Sequence, residues 1–125
     1  MRIFVLEDDP TRIDTLFKEL GSGHDWTIVD SCERVDKFQP PYDVILLDHD
    51  LGGRQLEDHE DNGAVFAELI KDKLVPDDVV IVHSYNPAGT QRILGTLNEY
   101  CDVFRMPFGS HLYWNSLERI DRGEW

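Results

Sequence analysis

The sequence predicts an α/β protein, a parallel sheet carrying helices on both faces. Three observations lead there. Short apolar runs at Ile3-Phe4-Val5-Leu6, Val44-Ile45-Leu46-Leu47 and Val79-Val80-Ile81-Val82 have the length and continuity of strands buried on both sides. Stretches with helical apolar spacing lie between them, which implies parallel strands joined by crossover helices. Acids follow directly on the first two runs, as Glu7-Asp8-Asp9 and Asp48-His49-Asp50. Ligands of an open parallel sheet bind at that carboxyl edge.

Residues 2–6 read as the first strand. Pro10 opens a helix, where its missing N–H costs nothing. Ile13, Leu16, Phe17 and Leu20 repeat at helical spacing, and Gly21 closes the helix. Trp26-Thr27-Ile28-Val29 is a second strand, less apolar and therefore expected at an edge. Val35 and Phe38 mark a short second helix that Pro40-Pro41 terminates. Residues 43–47 form the third and most apolar strand, expected at the centre. The polar stretch from Leu51 to Asn62 has no apolar period and reads as a long loop at the ligand edge. Val65, Phe66, Leu69 and Ile70 mark a third helix, residues 79–82 a fourth strand, and Pro87 with Ile93, Leu94 and Leu97 a further helix. Val103-Phe104-Arg105 is a short fifth strand. A last, aromatic-rich helix runs from about Leu112 to Ile120. With 125 residues and no repeat or linker, one domain is expected over 1–125.

Composition removes several classes of function. There are 25 acidic and 12 basic residues, a net charge of −13. A broad nucleic-acid or anionic membrane surface is thereby disfavoured, while a small phosphorylated group held through a metal is compatible. Most of the acids are expected to form a solvated surface. Cys32 and Cys101 lack metal-ligand spacing and read as a reduced pair. No apolar stretch approaches the ~20 residues of a membrane helix. The first apolar run ends at Leu6, too soon for a signal peptide. A cytoplasmic location is the expectation.

If the acid-tipped strands are neighbours, several carboxylates meet at one edge. They repel one another unless protonated or bound to a cation. Their oxygens suit a hard divalent ion, magnesium or manganese, with Glu7, Asp8, Asp48 and Asp50 as candidate ligands. Such an ion presents a Lewis acid to a phosphoryl oxygen. Ser84 and Asn86, beyond the fourth strand, are candidate phosphate donors. His49 and His83 are candidates for proton transfer, since imidazole titrates near neutrality. Strand alternation lets Asp48 and Asp50 share a direction while His49 turns elsewhere. His59 lies in an acidic run and is expected at the surface.

The stretches VLEDDPTRI at 5–13 and VILLDHDL at 44–51, with Pro107-Phe108 after the fifth strand, resemble a response-regulator receiver domain. That resemblance implies a flavodoxin-like (βα)5 three-layer sandwich with strand order 2-1-3-4-5. It implies Asp48 as phosphoacceptor and Ser84 as the switch hydroxyl. One departure stands out: receivers carry a Lys just before the Pro, and here the residue is Met106. Arg105, one residue away on a strand, points to the other face.

A sharper match comes from LDHDLGG at 47–53 and VHSYNPAGT at 82–90. They resemble the motifs of the cyclic-phosphate processing receiver-like family. The resemblance implies a site made of Asp48, His49, Asp50, His83, Ser84 and Asn86. It also implies a metal-assisted phosphoesterase-like activity on cyclic phosphate, with Asp48, His49 and His83 catalytic and a small phosphorylated ligand or RNA end as partner. The alternative is an atypical phosphorelay receiver modified at Asp48, or working without modification, with a sensor kinase as partner. A third reading is a scaffold whose last helix offers Tyr113, Trp114 and Trp125 to a partner protein. The His49-Asp50 pair does not indicate the helical His-Asp phosphohydrolases, because it follows a strand.

Overall fold

The computed structural model describes residues 1–51 and 61–125. Among these residues five strands form one fully parallel sheet in the order β2-β1-β3-β4-β5. They are β1 (Arg2–Leu6), β2 (Asp25–Val29), β3 (Val44–Leu47), β4 (Val79–Val82) and β5 (Asp102–Arg105). Four α-helices cover them: α1 (Pro10–Leu20), α2 (Gly63–Ile70), α3 (Pro87–Leu97) and α4 (His111–Asp121). The apolar β3 is central and the mixed β2 lies at an edge, as their compositions require.

Alternation along each strand sorts the core into two layers. Ile3, Val5, Val44, Leu46, Val79 and Ile81 pack on one face with Leu16 of α1 and Tyr113 and Leu117 of α4. Phe4, Leu6, Ile45, Leu47, Val80 and Val82 pack on the other with Phe66 and Ile70 of α2 and Ile93 and Leu97 of α3. Each such side chain, when fully buried, contributes roughly 1.5–3 kcal/mol of apolar transfer free energy.

Helix ends follow from local chemistry. The Asp9 carboxylate accepts the Thr11 N–H at the start of α1, and Gly21 ends that helix with φ 89 and its N–H on the Phe17 carbonyl. The side-chain oxygen of Asn62 accepts the Val65 N–H at the start of α2. Asn86 and Ser110 do the same for α3 and α4.

The second helix expected around Val35 and Phe38 is a 3-10 segment, Cys32–Lys37, and Phe38 lies just beyond it with extended backbone. Six residues squeezed between β2 and Pro40-Pro41 leave room for tight i→i+3 bonds, such as Phe38 N–H to the Val35 carbonyl. Phe38 itself is buried and stacks edge-on against Phe4, centroids 4.9 Å apart. In α2, Leu69 faces solvent rather than the core. Of the stretch expected to form a loop from Leu51 to Asn62, residues 52–60, including His59, lie outside the described residues. Its two ends are buried at Leu51 and Asn62, and Asp50 pairs with Asn62 in an isolated antiparallel bridge. Cys32 and Cys101 are free thiols. Among the described residues no helix is long and apolar enough to cross a membrane.

Candidate functional site

The strand register builds the site. Leu6 pairs with Leu47, Leu47 with Val82, and Val82 with Arg105. The next residue on each strand therefore falls into one row: Glu7, Asp48, His83 and Met106. Backbone bonds extend the ladder to that row, Asp48 N–H to Leu6 O at 3.1 Å, His83 N–H to Leu47 O at 2.9 Å and Met106 N–H to Val82 O at 3.0 Å. All four side chains continue the alternation of the α1/α4 face. Glu7, Asp48 and His83 are buried. One ligand-type atom from each lies within 4.8 Å of the other two.

The row is tightly wired. His83 Nε2 donates to Glu7 Oε1 at 2.9 Å, and the Tyr113 hydroxyl lies 3.3 Å from His83 Nδ1. A carboxylate only accepts, so Nε2 carries the proton shared with Glu7, and Nδ1 faces the Tyr113 hydroxyl. The other oxygen of Glu7 accepts the N–H groups of Asp8 and Asp9, each at 3.1 Å. Burial alone pushes the Glu7 carboxyl up. The His83 hydrogen bond and charge, the Asp9 amide and Arg12 outweigh it and hold Glu7 below the usual range.

Asp48 behaves oppositely. Burial, then the charge of Glu7, push its carboxyl up to about 6, against the pull of His83, Arg12 and the His49 amide. Two carboxylates side by side in a poorly solvated pocket thus divide into a firmly ionised member and a reluctant one.

Above the row opens a cleft of about 440 Å³ lined by Glu7, Asp8, Asp9, Pro10, Arg12, Asp48, Asp50 and Tyr85. Asp8 and Asp50, expected as metal ligands, thus line the cleft beside the Glu7, Asp48 and His83 group. Asp50 Oδ1 accepts from His49 Nδ1 at 2.8 Å and from Asn86 Nδ2 at 3.0 Å.

His49 lies on the other face of β3, away from the row. Its ring packs against Gly89 of α3, and its Nε2 is buried without a hydrogen-bond partner among the described residues. Asn86 spends its side-chain oxygen on the Gly89 N–H. Ser84 alternates away from His83, and its Oγ accepts the Asn86 N–H at 3.0 Å in a turn. Of the residues singled out in the sequence, the structure therefore gathers Glu7, Asp8, Asp48 and Asp50 at the cleft and His83 beneath it. It sets His49 and Asn86 behind Asp50, and Ser84 on the opposite side of β4.

With this geometry the chain can be set beside known proteins. Residues 2–99 match the family model of the cyclic-phosphate processing receiver domain. The chain belongs to that family. No curated protein matches it. Solved structures share the fold at low identity. A two-component response regulator from Clostridium difficile is 16% identical, with 98% of this chain and 96% of that chain covered and a TM-score of 0.68. A response regulator receiver protein from Pseudoalteromonas atlantica is 17% identical over 100% of both chains, TM-score 0.66. The Mn(2+)-bound form of response regulator Rcp1 is 17% identical over 95% and 90%, TM-score 0.60.

Against the receiver pattern, this chain departs at two places in its row. His83 stands beside Asp48, and Ser84, the expected switch residue, faces away. Met106 fills the next position as a buried apolar side chain packed with Ile81, Tyr113 and their neighbours. Sequence reading missed Arg12 and Tyr85, and it offered Tyr113 to a partner protein, whereas Tyr113 is fully buried in the sheet–α4 layer with its hydroxyl on His83. Arg12 carried one usable signal: it is a cation in the first turn of α1, where the helix dipole favours anions.

Proposed function

We propose that the protein cleaves cyclic phosphate or a related phosphoester, on a nucleotide or an RNA end, with a divalent cation in the cleft. The single observation that carries the reading is the row itself. Glu7, Asp48 and His83 offer two carboxylates and an imidazole within 4.8 Å of one another, under an open cleft. A cation held at about 2.2 Å spans ligands up to about 4.4 Å apart, so small side-chain rotations complete the set. The carboxylates suit magnesium or manganese, and the imidazole tilts the choice toward manganese. The family's description and the Mn(2+)-bound Rcp1 structure support the same direction.

When bound, the cation neutralises Glu7 and Asp48 and supplies Lewis acidity toward a phosphoryl oxygen. The chain's own residues do the rest. To join the set, His83 Nε2 would exchange its hydrogen bond to Glu7 for the cation, while Tyr113, 3.3 Å from Nδ1, keeps the ring in place. Asp48 is the row's carboxylate nearest a proton-exchanging state, and it faces the cleft. In hydrolysis the water oxygen bonds to phosphorus as one ester P–O bond breaks. Asp48 takes one proton of the water and gives it up to solvent, which protonates the released ribose oxygen, so that one water is added across the broken bond and a phosphomonoester remains. His49 keeps Asp50 oriented from behind and acts as a positioning residue.

The test is incubation of the purified chain with 2′,3′-cyclic nucleotides, and with RNA ending in a cyclic phosphate, in Mn²⁺ or Mg²⁺. Phosphomonoester formation is expected, abolished by chelator and by Asp48→Asn. Absence of turnover on both substrates overturns the reading. Mass spectrometry after acetyl phosphate treatment serves the phosphorelay reading, for which a stable phosphoryl group on Asp48 is the signature.

A further inference from the structure

We infer that Arg12 is the phosphoryl-binding cation of this site, taking the part that the missing lysine plays in receivers. The inference rests on the metal and phosphoryl reading above, and on four features of this chain. First, the row has no lysine or arginine, because the buried, apolar Met106 stands at the lysine's place. Second, Arg12 reaches in from α1 on the same face of the sheet. Its Nη1 lies 3.4 Å from Glu7 Oε1 and 3.8 Å from Asp48 Oδ2. Third, the guanidinium lies against two rings, 5.1 Å from the Tyr85 centroid and 5.2 Å from that of Phe108. The Tyr85 hydroxyl donates to the Phe108 carbonyl at 2.6 Å, which ties the two rings together. Fourth, Arg12 lines the open cleft and its side chain keeps 21% exposure, so its unused donors face the space where a ligand sits.

A planar guanidinium presents several N–H donors in a fixed fork that matches two phosphoryl oxygens. Contact with two rings restricts the side chain and lowers the entropy lost on binding. The contacts to Glu7 and Asp48 are long for charge-assisted bonds, so neither carboxylate saturates the fork. A cation on those same carboxylates competes for their charge and leaves Arg12 to the phosphoryl group. Ser84 and Asn86 then do not need to reach the ligand, in keeping with their hydrogen bonds elsewhere.

The experiment measures two ligands on the whole chain: Mn²⁺ alone, and inorganic phosphate in saturating Mn²⁺, by calorimetry and thermal shift. Arg12→Gln and Arg12→Lys are compared with wild type. In Arg12→Gln, phosphate affinity is expected to fall about 30-fold while Mn²⁺ affinity stays equal or rises, because a competing cation is gone. Arg12→Lys is expected to lose about 5-fold, keeping the charge without the fork. Unchanged phosphate affinity in a folded Arg12→Gln variant overturns the assignment, as does a wild-type protein that binds Mn²⁺ and no phosphate. Joint loss of Mn²⁺ and phosphate in both variants also overturns it, since Arg12 would then only hold the carboxylates in place. Arg12-dependent phosphate binding without turnover of cyclic phosphate supports the anion site and overturns the enzymatic reading alone.

Discussion

Asp48 is held where its charge is unwelcome. Burial and the neighbouring Glu7 lift its carboxyl from 3.8 to about 6, so the fold prefers the neutral form. The stabilising effect of protonation is complete below the unfolded value and disappears as pH rises through about 6. At pH 7 in chelator, ionised Asp48 therefore works against the fold. Asp48→Asn is expected to stabilise the metal-free protein by about 1–3 kcal/mol at pH 7, with the gap closing as pH approaches 4. Urea denaturation at several pH values checks it. Saturating Mn²⁺ is expected to reverse the order, because wild type gains binding free energy that the variant cannot. An Asn variant no more stable than wild type in chelator would remove the strained-carboxylate account. Glu7 runs the other way: it is held low by His83, Asp9 and Arg12, so it remains the anionic anchor of the row.

The turn after β3 touches the starts of both α2 and α3 so closely that side chains are excluded. A Cβ on Gly89 would sit 2.3 Å from Cγ of His49, and one on Gly63 only 2.0 Å from the Asp48 carbonyl oxygen. Asn86 fastens the same junction, capping α3 with one side-chain atom and holding Asp50 with the other. Gly89→Ala is expected to cost about 1–3 kcal/mol, because the buried His49 ring has nowhere to go. Gly95, in the same helix, has nothing within 4 Å of its would-be Cβ. Gly95→Ala is expected to be neutral or to gain up to about 1 kcal/mol from helix propensity alone. Chemical denaturation of the pair separates crowding at the junction from propensity. The two motifs that carried the family resemblance are thus partly a packing device: the glycine of Asn86-Pro87-Ala88-Gly89 is needed by the histidine of Asp48-His49-Asp50. At this scale the sequence was informative where apolar runs were long, at β1, β3 and β4. It was less so at Cys32–Lys37, where one Val and one Phe at helical spacing cannot distinguish an α-turn from the tighter 3-10 form.

Across the whole molecule, what could be read from the chain was the direction of the strands and the parity of their ends. Those two facts bring the acids after β1 and β3 to one edge and turn His49 away from its neighbours, but that Glu7 rather than Asp8 stands in the row with Asp48 and His83 needed the paired backbone. The register that puts His83 rather than Ser84 beside Asp48 needed the paired backbone, since alternation leaves both options until one β4 contact is known. Arg12 was hidden for another reason: its role comes from crossing between α1, Tyr85 and Phe108, which no local spacing encodes. The same scale sets a limit on substrates. With a net charge of −13, the protein repels a polyanion everywhere except at the cleft's own cations. A mononucleotide meets little of that field, while an RNA end drags its remaining phosphates past it. Raising NaCl from about 20 to about 200 mM shortens the reach of the repulsion to under ~10 Å. With Mn²⁺ saturating, kcat/KM on a cyclic-phosphate-ended oligonucleotide is expected to rise about 3- to 10-fold over that range, with a smaller change for the 2′,3′-cyclic mononucleotide. Nucleic-acid enzymes with basic footprints lose activity under the same titration, since counterion release drives their binding. Steady-state rates on both substrates across the salt series decide the matter. A fall with salt on the oligonucleotide would mean that a local basic path, and not the overall charge, governs how an RNA end approaches Asp48.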